Sequence, residues 1–229
     1  IASCLVGSEM CIRDRNKGEA ILPDIAEAIA EKCKKDGIAR EDMEGIGIGI
    51  PAPVNEDGVV KNTANLGWGY KEVKRELEEL TGFKVEVGND ANMAALGEMW
   101  LGAGRGHKNL VMVTLGTGVG GGVIVGGRPL VGTNGAGGEI GHILANRQET
   151  DKCGCGKKGC LEQYASATGI ARLARIRLAK NNDMTLLRGQ EITAKAVFDA
   201  LKEGDKVAEE IVEEFGAYLG YALAAVSYT

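Results

Sequence analysis

Apolar residues recur at helical spacing across residues 19–35, at Ile21, Ile25 and Ile29, and Gly37 then offers a stop, so the pattern predicts an amphipathic helix. The run GIGIGI at 45–50 breaks that period and reads as a buried strand. It ends in a loop containing Pro51 and Pro53, the end of a strand at which α/β sheets usually present ligand contacts. After the turn NEDG and the loop KNTANLGWGY come an amphipathic helix over about 71–80, a strand over 83–87 and a helix over 89–100. This βαβ-like alternation predicts a parallel or mixed sheet. Gly102, Gly104 and Gly106 mark a shift in composition and a domain boundary. Beyond it, NLVMVTL and GGVIVGG are two strand runs joined by GTGVGG, followed by helices at about 161–180, 193–202 and 205–225. The last helix aligns Val207, Ile211, Phe215, Tyr218 and Leu219 on one face, which is a packing pattern.

With 229 residues, 44% hydrophobic and 26% charged, the chain suffices for two modest folded domains. A net charge of -5 with no basic block argues against nucleic acid or a membrane surface as partner. The six cysteines show no disulfide framework, no apolar run reaches the length of a membrane span, and no cleavable leader is visible, so a cytosolic protein is expected. Residues 1–15, IASCLVGSEMCIRDR, lack periodicity and resemble translated sequencing-adapter sequence; they are expected to be a non-native segment. The expected domains are then an N-terminal α/β lobe at 16–106 and a C-terminal α/β lobe at 107–229, both belonging to an internal fragment of a longer protein.

Candidate chemistry concentrates at 137–169, where His142, Cys153, Cys155 and Cys160 surround one glycine-rich loop. One histidine and three cysteines supply the closed tetrahedron of a structural zinc site; the alternative is three reduced cysteines in a surface loop. Glu139 and Glu162 bracket the loop, so a metal that fixes it would also fix two carboxylates. Asp90, in KVEVGNDANMAALGE, sits where a strand yields to a helix. A helix cap would account for it, but the carboxyl end of a strand is also where α/β enzymes place reacting groups. The turn LGTGVGGG at 115–122 lacks the lysine and following helix of a Walker loop, and its glycines would also suit a tight hairpin. Trp68 suits either a pocket wall or the core, and His107 reads as a solvated loop residue.

The segment GGEIGHILANRQETDKCGCGKKGCLEQYASATG resembles the signature of the ROK family (repressors, open reading frames, kinases), and CGCGKKGCLEQYASATGIARLAR resembles its bacterial glucokinases. The likeness runs from residue 17 to about 226. It implies a two-lobed α/β fold of the actin-like ATPase, ribonuclease H-like type, here truncated: neither the phosphate-contacting DxGxT strand nor the adenosine-contacting glycine segment of such kinases is found. It implies ATP-dependent phosphorylation of glucose at the 6-hydroxyl, in a cleft between the lobes, with Mg2+ on the nucleotide and a structural Zn2+ on His142, Cys153, Cys155 and Cys160. Asp90 would be the catalytic base; Asn65, Asn89, Asp90, Glu139, His142 and Glu162 would contact the sugar, and the loop at 49–53 would lie against it. Gly116, Thr117 and Gly118 would face the nucleotide phosphates. Partners would be the sugar and ATP, with no nucleic acid or membrane, in a homodimer or larger homo-oligomer. The rivals are a kinase for mannose, fructose or an N-acetylhexosamine, the sugar-sensing domain of a ROK repressor, and a zinc-stabilised oligomerisation module without activity.

Overall fold

A computed structural model describes residues 18–63 and 66–227. The chain forms two compact units, one of residues 18–94 with Pro129–Gly137, the other of Ala95–Arg128 with Gly138 onward.

In the first unit, α1 (Ile21–Asp36) ends as its composition dictates, with Lys34 and Lys35 in the last turn and Gly37 in the left-handed conformation at φ 65°. Strand β1 (Ile46–Ile50) pairs in parallel with β4 (Val85–Asn89), from Ile46 opposite Val85 to Ile50 opposite Asn89. Between them lie β2 (Val59–Val60) and β3 (Lys71–Glu72), an antiparallel pair, and α2 (Val73–Thr81), which stops at Gly82 with φ 68°. A fully buried β1 is not what forms: Ile46 and Ile48 stay half-buried and only Ile50 is buried, because the strand has one neighbour among the described residues. Its core joins Ile21 and Leu22 of α1 to Ile50, Ala52, Val54, Val60 and Val73. Trp68 belongs to that core, 5% exposed, with its indole N–H donating to the Gly18 carbonyl at 2.7 Å. It is therefore a core residue rather than a pocket wall. Helix α3 (Asp90–Leu101) leaves β4 without a loop.

The second unit takes up the later part of α3 and continues with the antiparallel hairpin of β5 (Leu110–Leu115) and β6 (Val119–Val125), with β7 (Arg128–Pro129) next in strand order. Four helices follow: α4 (Glu162–Ala165), α5 (Ala167–Lys180), α6 (Ala194–Lys202) and α7 (Lys206–Ser227). The single helix expected over 161–180 is broken at Ser166. Its backbone is extended at φ -80°, ψ 166°, and its hydroxyl accepts from the Gly169 N–H, capping α5 afresh. Thr193 and Asp205 cap α6 and α7 in the same way. The core gathers Ile170, Leu173, Leu187, Val197, Val207 and Ile211, with Phe215 and Tyr218 of the apolar α7 face packed on it. Among the described residues no helix is long and apolar enough to cross a membrane.

Candidate active site

At the β4–α3 junction the capping role falls to Asn89. Its Oδ1 accepts from the Asn92 N–H at 3.1 Å, and its Nδ2 donates to the Ala52 carbonyl at 3.3 Å, tying the loop after β1 to the start of α3. Asp90 is exposed, and its Oδ1 accepts only from the neighbouring Ala91 N–H at 2.8 Å. Gly49 runs alongside: a Cβ there would lie 3.4 Å from the Asp90 Cα. Asn65 lies outside the described residues.

In the second unit the loop between the 3-10 turn Ile140–His142 and α4 brings His142, Cys153, Cys155 and Cys160 together, their ligand atoms all within 4.8 Å of one another. Cys155 and Cys160 are 3.6 Å apart at sulfur, and Cys153 Sγ lies 3.8 Å from His142 Nδ1. Tetrahedral ligands at zinc–sulfur bond length would sit about 3.8 Å from one another, so the donor set fits one zinc ion. Burial pushes the Cys160 thiol up to about 12, with the Cys155 and Cys153 thiols adding to it, and burial also raises that of Cys153. Burial also acts on Cys155, but the Lys157 N–H and the other thiols outweigh it and lower its value. His107, by contrast, is an exposed loop residue whose backbone N–H donates to the Gly104 carbonyl.

Glu162, the first residue of α4, links this cluster to the hairpin turn. Its Oε1 accepts from Cys153 Sγ at 3.6 Å, and its Oε2 accepts from the Val119 N–H at 3.0 Å. Gly118 passes so close that a Cβ would stand 2.3 Å from that Oε2. The turn is held from the other side as well: Gly116 accepts from the Ala167 N–H at 2.8 Å and Thr117 from the Thr168 hydroxyl at 2.9 Å. Gly118 thus serves close packing, as does Gly141, whose Cβ would meet the Val119 carbonyl at 2.2 Å, whereas a Cβ at Gly116 would stand in open space. Glu139 precedes the 3-10 turn and accepts from the His142 N–H through its carbonyl at 3.1 Å.

A cluster on the far side of α4 was not anticipated from sequence. Tyr164 donates to Glu149 at 2.5 Å, and Arg172 of α5 donates to Glu149 at 2.8 Å and to Asp151 at 2.9 Å. Burial favours the neutral acid at Glu149, yet the Tyr164 phenol, the Asp151 N–H and Arg172 hold its carboxyl down to about 2. The only signal was a tyrosine and an arginine eight residues apart after the cysteines, which helical wheels alone would not pair with a loop acid.

The model of the ROK family matches residues 1–229, and the chain belongs to that family. It is 42% identical over 221 residues to a glucokinase of Halalkalibacterium halodurans, covering 94% of this chain and 67% of that protein. A crystal structure of a ROK family glucokinase from Streptomyces griseus in complex with glucose and AMPPNP matches with TM-score 0.72 and 35% identity, over 92% of this chain and 68% of that one. A ROK family transcriptional regulator, a homologue of the E. coli MLC protein, matches with TM-score 0.78 and 29% identity, over 91% of this chain and 53% of that one. The chain therefore spans about two thirds of the length of the glucokinases it resembles, and its fold is that of the actin-like sugar kinases.

Proposed function

We propose that the protein is an ATP-dependent glucokinase that transfers the γ-phosphoryl group to the 6-hydroxyl of glucose. The observation that carries this is the division of labour at the β4–α3 junction: Asn89 caps the helix, so the exposed carboxylate of Asp90 is not needed as a cap. In the proposed reaction Asp90 orients the sugar hydroxyl and accepts its proton, a modest demand because phosphoryl transfer passes through a loose transition state. Asn89 still has one amide N–H to offer a sugar hydroxyl. Glu139, His142 and Glu162 would take further hydroxyls, rejecting sugars that leave these groups unpaired. His142 turns Nδ1 toward Cys153, so its Nε2 is the nitrogen assigned to the sugar. The hairpin turn Gly116–Gly118 would meet the phosphates through the amides of Thr117 and Gly118, the Gly116 N–H being taken by the Gly118 carbonyl at 3.0 Å, with Mg2+ accompanying the nucleotide. A zinc ion on His142, Cys153, Cys155 and Cys160 would be structural, cross-linking the loop that carries Glu162.

The test is glucose-dependent ADP formation by the full-length protein beside its Asp90→Asn variant. Asparagine keeps the capping chemistry but takes no proton, so kcat is expected to fall about a hundredfold or more while thermal stability and much of the glucose affinity persist. Near-normal kcat in the folded variant would remove Asp90 from the reaction. The likeness to a ROK transcriptional regulator favours a second function, sugar sensing without turnover. Glucose binding without ADP formation by the unsubstituted full-length protein would select it.

A further inference from the structure

Helix α4 is a single turn, Glu162–Ala165, and one turn of helix does not hold itself in water. Something else must fix the direction in which Glu162 points. The Cys/His cluster acts on one side, through Cys160 two residues before Glu162 and through Cys153 against its carboxylate. On the other side Tyr164 is buried, 3% exposed, and stacks on Tyr218 of α7 with ring centroids 4.1 Å apart. Its hydroxyl donates to Glu149 and accepts from Asn146 Nδ2 at 3.1 Å. Gln163 bridges the same two segments through its Nε2, which donates to the Asp151 carbonyl at 3.1 Å, while its Oε1 accepts from the Cys160 N–H at 3.1 Å. Arg172 closes the set by reaching from α5 to both Glu149 and Asp151. Apart from the Gln163–Cys160 bond, every hydrogen bond in this set joins the loop at 146–151 to α4 or α5, and none of these uses a Cys or His side chain of the cluster.

We propose that Glu149, Tyr164 and Arg172 form a second, metal-independent clamp that positions Glu162. These are positioning residues, and their part in sugar binding rests on the glucokinase function proposed above. Glu149 is the hub: one carboxylate accepts a phenol, a guanidinium and the N–H groups of Thr150 and Asp151, and so sets the loop and α4 in one frame.

The experiment uses Tyr164→Phe, which removes one oxygen, and Glu149→Gln, which keeps shape and removes charge, both in the full-length protein. Two readouts are taken. In glucose kinetics each variant is expected to raise KM about tenfold with kcat nearly unchanged and zinc content at the wild-type level, the split expected when ground-state and transition-state binding weaken together. In hydrogen exchange of zinc-stripped protein, residues 146–151 and 162–165 are expected to stay protected in the wild type and to lose protection in both variants. Wild-type KM in folded, zinc-replete variants would overturn the positioning role. Loss of protection on stripping zinc from the wild type alone would overturn the clamp. If the unsubstituted protein shows no glucose turnover, the proposed function falls, and the exchange experiment still decides whether the clamp exists.

Discussion

The two places where candidate chemistry sits are built in opposite ways. At the β4–α3 junction Asp90 follows directly from a strand paired over five residues into a helix of twelve, and the cap is supplied by the adjacent Asn89. From 143 to 161 the chain forms no helix or strand, only the isolated bridges Leu144–Cys160 and Lys152–Lys158. A single group that has only to orient a hydroxyl can ride on regular backbone, whose hydrogen bonds are already satisfied. A surface that must offer several polar groups at once is made from irregular chain, and such chain needs cross-links to stand still.

The sharpest way to break this contrast is to remove a cross-link. Cys160→Ser is expected to take zinc from about one ion per chain to a small fraction of that, with glucose affinity falling about tenfold or more. Hydrogen exchange should rise across 152–161 and stay unchanged across 85–92. Equal loosening at both places would show that the β4–α3 junction is no more self-sufficient than the loop. A smaller effect is expected at the hairpin turn: Gly118→Ala puts a methyl 2.3 Å from Glu162 Oε2, so one of the two must move. Overpacking of this kind costs about 1–3 kcal/mol, read by denaturant melts, and glucose KM should rise with it. Unchanged melts and KM would mean that Glu162 swings aside freely and that the turn does not brace it.

The smallest effect is pH-dependent. The Glu149 carboxyl lies at about 2, below its ordinary 4.5, so its contribution to stability is fully present above the ordinary value and is lost as pH falls through that window toward about 2. Wild type should therefore melt above Glu149→Gln at neutral pH, with the gap narrowing between about 4.5 and about 2. A gap that stays constant with pH would assign the difference to packing.

What could be read from the residues follows the same division. Elements whose period matches their packing were legible: α1 with its Gly37 stop, the β1–α2–β4 order, the β5–β6 hairpin and the apolar face of α7. The Cys/His set was legible because its residue types are rare and close in sequence. The break at Ser166 was hidden because helical spacing continues through it, and only the later S-x-x-G cap betrays it. The Glu149 cluster was hidden because its partners are 15 and 23 residues away and belong to different elements. Which of Asn89 and Asp90 would cap α3 was undecidable from their types, since both are good caps; the geometry separates them.

The Glu162 carboxylate is shared between the hairpin turn and the Cys/His loop. Because Oε2 holds the Val119 N–H at the end of the hairpin turn while Oε1 faces Cys153, a ligand that draws Glu162 toward itself also disturbs the turn. Two ligands, one on Glu162 and one on Gly116–Gly118, would then no longer bind independently. By thermodynamic reciprocity, whatever factor the first imposes on the affinity of the second, the second must impose on the first.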